Sequence, residues 1–66
     1  MMYGQELKDI REIHEFSRAF LAHATGIDEK DLEFLEEKDG RINPLLEKKL
    51  MGVMALYLLK KYNKDK

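Results

Sequence analysis

Apolar residues recur along this chain at spacings of three and four, the period of a helix with one buried face, and no stretch shows the strict alternation of a strand. Leu7, Ile10, Ile13 and Phe16 form the first such series, with Lys8, Asp9, Arg11 and Glu12 between them, which predicts a helix from about Gln5 to Glu15. Ser17 is then placed to cap a second helix that buries Phe20, Leu21 and Ala24, with Phe16 and Leu21 spaced for a hydrophobic staple. Ala22 suits a close helix crossing, and Gly26 supplies a turn residue that takes positive φ cheaply. Asp28 repeats the capping logic for a third helix that turns Leu32 and Leu35 inward, sets Phe34 on another face and is closed by Gly40. Ile42 is expected to plug the core from the following loop.

Asn43-Pro44 opens a fourth helix with a cap and a first-turn proline, and that helix is expected to run to about Tyr62. Leu46, Leu50, Val53 and Tyr57 make one of its faces, Met51, Met54 and Leu58 a neighbouring one, and Leu59 and Tyr62 extend the apolar surface. Gly52 marks a kink, a break into two helices or a close contact. The pattern predicts an all-α fold, a small four- to five-helix bundle formed by residues 1–66 as one domain. A core this small cannot cover every apolar group on the last helix. The segment at about 44–62 is therefore expected to be an interface, with Met54, Leu58 and Tyr62 as its self-association residues.

Charge changes the picture more than composition does. The net charge of −1 over 66 residues conceals seven acids and two bases in residues 28–39, against seven bases and two acids in residues 41–66. Such a dipole steers association with a charged partner or between copies; the plainer reading is two solvated faces. With no cysteine, thiolate metal sites and nucleophiles are excluded. His14 and His23 read as surface residues, and no metal or cofactor is expected. No segment has the roughly 18 uninterrupted apolar residues of a membrane span, and the first residues do not read as a signal peptide. A cytoplasmic protein that does not bind membranes is the expectation. Glu12, His14 and Glu15 diverge around a helix, while Glu33 and Glu37 share a face that could hold a cation but is more simply solvated. No catalytic constellation stands out, and no enzyme is expected.

Between Leu7 and about Leu56 the chain resembles the lambda-repressor-type helix-turn-helix regulators, also called xenobiotic-response-element-like. The resemblance lies in Leu7-Lys8-Asp9-Ile10-Arg11, in Ser17 to Ala22 followed by Thr25-Gly26-Ile27, in the glutamates before Gly40-Arg41-Ile42-Asn43-Pro44, and in Leu46 and Leu50. It implies that DNA would be approached by the start of the second helix and the exposed face of the third. Those places hold Arg18 and Ala19, then Glu29, Lys30, Asp31, Glu33, Phe34 and Glu37. Arg18, Ala19, Lys30 and Arg41 are the residues for duplex contact under that reading, in a repressor dimer whose recognition helices lie about 34 Å apart. Acids at a recognition face oppose phosphate binding. The resemblance and the charge together favour a regulatory protein that keeps the scaffold to bind a protein partner, such as a DNA-binding regulator. Glu29, Lys30, Glu33, Phe34 and Glu37 then form the partner-binding face.

Overall fold

In a computed structural model, which describes residues 2–63, four helices pack around a core of leucines, two methionines and one isoleucine: α1 (Gly4–Ile13), α2 (Arg18–Thr25), α3 (Glu29–Glu37) and α4 (Pro44–Asn63). Strands are absent among these residues, apart from an isolated antiparallel bridge between Tyr3 and Arg41. The fold is a small all-α bundle with four helices. Leu7, Leu21, Leu32, Leu50 and Met54 are sealed from solvent, and Met2, Leu35 and Ile42 complete the buried set. Each helix thus contributes to the same centre, which Ile42 enters from the loop before α4.

The capping signals operate locally. Ser17 Oγ accepts the Phe20 N–H at 3.0 Å, the Asp28 carboxylate accepts the Lys30 N–H at 2.9 Å, and Asn43 Oδ1 accepts the Leu45 N–H at 2.8 Å. Gly26 ends α2 in the left-handed region at φ 78°, and its N–H donates to the Ala22 carbonyl at 2.9 Å. Thr25 adds a second fastening, since its buried hydroxyl donates to the Leu21 carbonyl and accepts the Ile27 N–H. The turn between α2 and α3 is therefore held from both ends.

Two helix ends differ from the expected ones. α1 stops at Ile13 rather than Glu15, because Glu15 adopts φ 59° and the Phe16 N–H turns back to the Arg11 carbonyl at 2.9 Å. Ile13 faces outward at 74% exposure, because the buried face of α1 runs through Gly4, Leu7 and Arg11 and leaves the three-residue stripe expected for it. α3 stops at Glu37, with Lys38 already extended and Gly40 three residues beyond the helix rather than closing it. Phe20 and Ala24 are only half-buried, although Phe20 does pack against the core.

The amino-terminal segment is part of the fold. Met2 is buried, its carbonyl accepts the Ile42 N–H at 2.8 Å, and its own N–H donates to the Glu47 carboxylate. Gly4 lies so close to α3 that an added Cβ would sit 2.2 Å from the Leu35 carbonyl oxygen, which no other residue tolerates. α4 passes through Gly52 without a break, resolving the choice between one helix and two. At 20 residues it is about 30 Å long by its rise per residue, which accounts for much of the 41 Å length of a molecule only 21 by 20 Å across.

Candidate docking surface on the third helix

α3 is short and acidic, and its two faces meet different surroundings. Glu36 points inward and is 4% exposed. Its carboxylate accepts two hydrogen bonds from Arg11, from Nε at 2.6 Å and from Nη2 at 3.0 Å, and Arg11 Nη1 donates to the Phe16 carbonyl at 2.9 Å. The hydrogen bonds to Glu36 hold the Arg11 guanidinium above its ordinary pKa, against the opposing pull of desolvation. This pair ties α1 to α3 and fixes the turn after α1. One of the seven acids in residues 28–39 is thus internal, and the other six face solvent.

Arg18, the base placed at the start of α2, is held by carboxylates. Its Nη1 lies 2.7 Å from Glu33 Oε2 and its Nε 3.3 Å from Glu36 Oε1. A phosphate or guanine edge would meet these two carboxylates beside the guanidinium. Ala19 and Lys30 are exposed, and Arg41 lies in the loop after α3 with its backbone bridged to Tyr3.

Phe34 projects outward at 68% exposure. Beside it a groove of about 500 Å³ runs between α3 and the start of α4, lined by Ile27, Phe34, Leu35 and Leu46 with Gly26, Asp28 and Asp31. The groove has an apolar floor from three elements and two carboxylates in its wall. Asp31 and Phe34 are three residues apart and share a helix face. Of the expected partner-binding residues, Glu29, Lys30, Glu33, Phe34 and Glu37 are all exposed on α3, but Glu33 is turned toward Arg18. Phe34 is joined instead by Asp28, expected as a helix cap, by Asp31 of the exposed α3 face, by Ile27 of the turn and by Leu46 of α4. Asp31 had a visible signal in its spacing from Phe34; the approach of Leu46 across the intervening loop had none.

A second groove, about 420 Å³, is lined by Glu15, Phe16, Ser17, Phe20, Tyr57 and Lys61. Its rings pack on one another, with Phe16 stacked on Phe20 at 5.5 Å and Phe20 edge-on to Tyr57 at 4.6 Å. These contacts join α2 to α4, so the groove's aromatic wall already serves the fold.

The self-association residues on α4 need correction. Met54 is 1% exposed and belongs to the core, because α4 lays the Leu50–Met54 edge against the other helices. Leu58 is half-buried and Tyr62 is exposed. The outward apolar surface of the distal half is carried by Leu56, Leu59 and Tyr62. Among the described residues no helix is long and apolar enough to cross a membrane. No protein-family model matches the chain, and no curated protein or solved structure matches it.

Proposed function

We propose that this chain is a small cytoplasmic transcription-regulatory protein that uses a repressor-type helical scaffold to hold another protein, as an antirepressor or inhibitor does. The observation that carries the reading is Phe34, exposed beside an apolar groove whose polar lining includes Asp28 and Asp31. An aromatic anchor ringed by charge is the usual composition of an energetically central contact. The complementary ligand is a basic amphipathic helix, with an apolar side chain in the groove and lysine or arginine against the carboxylates. A DNA-binding regulator is a natural source of such a helix, since its own task requires basic residues.

Duplex DNA is the competing ligand. Six outward acids on and around α3 repel phosphate, and Arg18 is engaged by Glu33 and Glu36. Selection of displayed helical peptides against the full chain, with counter-selection on the Phe34→Ala variant, tests the proposal. It predicts enrichment of amphipathic sequences with basic flanks. Failure to enrich them, together with tight low-salt duplex binding that Arg18→Ala weakens, would instead identify an operator-binding repressor.

A further inference from the structure

The long helix α4 carries apolar residues on two opposed sides, and the fold uses one of them. Leu46, Leu50, Val53 and Met54 face the core. Each residue advances about 100° around the axis, so Gly52, two past Leu50, points away from the core. Leu45, Gly52 and Leu59 recur at seven-residue steps along that outer side, and Lys48, Ala55 and Tyr62 follow them, each three residues on. All six are exposed, and Leu45, Leu59 and Tyr62 are each more than half so. Leu56 borders the same strip. This is the spacing of a coiled-coil seam, on a helix that is apolar all round and covered on only one side.

We propose that a second copy of this chain covers the seam, its α4 running antiparallel to the first. The order of side-chain sizes identifies the occupant. The seam reads leucine, lysine, glycine, alanine, leucine, tyrosine, with its two smallest residues in the middle and long side chains toward both ends. An antiparallel copy in register sets Leu45 beside Tyr62, Lys48 beside Leu59 and Gly52 beside Ala55, and the two-fold axis repeats each layer. Small meets small at the centre, where the helices come closest. An added Cβ at Gly52 meets nothing within 4 Å, so no contact inside the chain calls for a glycine there, and inside a helix a glycine otherwise lowers stability. A parallel copy would put Lys48 against Lys48, so charge selects the antiparallel pairing, in which Lys48 lays its stem on Leu59 and turns its ammonium outward. The contact is isologous and closes as a dimer. One helix face is narrow beside the roughly 800 Å² per partner of a stable complex, so the dimer is weak. Leu46 packs toward the core, away from the seam, so the Phe34 groove stays open on both copies and the inference does not rest on its ligand.

Sedimentation equilibrium of the full chain and two leucine variants tests the seam. The parent is expected to dimerise at about hundreds of micromolar, the range of a small interface. Lys48→Leu removes the charge from the seam and should tighten the dimer about tenfold. Gly52→Leu crowds the closest layer and should weaken it about tenfold or more. The same change should raise the melting temperature of the dilute monomer, since leucine is the better helix former and enters open space. A lost dimer therefore does not reflect a lost fold. Both variants add one leucine to an exposed face, so unspecific adhesion would strengthen association in both. Orientation is read by cross-linking: the chain has no cysteine, and Leu45→Cys and Tyr62→Cys are expected to form a disulfide-linked dimer only when mixed. Three results overturn the proposal: a parent monomeric to about millimolar concentration, a dimer tightened by Gly52→Leu, or Leu45→Cys cross-linking to itself as readily as to Tyr62→Cys.

Discussion

On the inner face of α3, Glu36 is buried and takes two hydrogen bonds from Arg11; at the solvent edge of that face, three residues earlier, Glu33 is about half exposed and holds the partly solvated Arg18, which also reaches Glu36. The two carboxylates belong to the same charge run. Desolvation makes the first pair indispensable once formed, because removal of either partner strands a charge in the core. Solvent screening leaves the second pair weak. The outer face is therefore available for recognition, whereas the inner face is committed to the fold. Phe34 against Leu32 repeats the contrast in apolar side chains, one mostly exposed and the other sealed.

The largest effect should come from Glu36→Ala, expected to cost about 3–5 kcal/mol in urea denaturation, comparable with the whole stability of a domain this size. Replacing both partners, Arg11→Met with Glu36→Leu, should recover most of that loss. A double variant as unstable as the single one would show that the pair contributes more than charge compensation. The raised Arg11 pKa gives this contribution a definite pH dependence. It is fully present below the ordinary arginine pKa and disappears only as pH rises through the raised value, so it is constant across neutral pH.

Truncation of the sealed leucines comes next. Leu21→Ala or Leu32→Ala should cost about 2–5 kcal/mol, while Phe34→Ala should stay within about 0.5 kcal/mol of the parent. Thermal melts of the three variants separate the faces, and a comparable loss from Phe34→Ala would place that ring in the core. Gly52→Ala should raise the stability of the dilute protein by about 1 kcal/mol through helix propensity, since no neighbour within the chain obstructs it. Glu33→Gln is the smallest, at about 0–1 kcal/mol, and should fade with added salt.

Much of this architecture was legible because its signals are local. Ser17, Asp28, Asn43 and Gly26 act within a few residues of themselves, and the spacing of Leu7, Leu21, Leu32, Leu35 and Leu50 identified most of the core. The inward role of Glu36 was hidden because its partner lies 25 residues away. The end of α1 was hidden because Glu15, rather than a glycine, takes the left-handed conformation there. On α4 apolar residues surround the axis, so periodicity could not decide that Met54 goes inside while Leu56 and Leu59 stay out. Phe34 was identifiable as an outward residue, but its groove depends on Ile27 and Leu46 reaching α3 through tertiary packing.

The central claim is that the outer face of α3 recognises a basic protein helix and not a duplex. Fluorescence anisotropy in low salt, with a labelled basic amphipathic peptide and a labelled mixed-sequence duplex titrated separately against the parent and Phe34→Ala, measures both affinities under one condition. The account predicts peptide binding that falls by about tenfold or more in the variant, with no duplex binding at micromolar protein. Duplex binding that steepens with falling salt and is lost in Arg18→Ala, with no Phe34-dependent peptide binding, would contradict it.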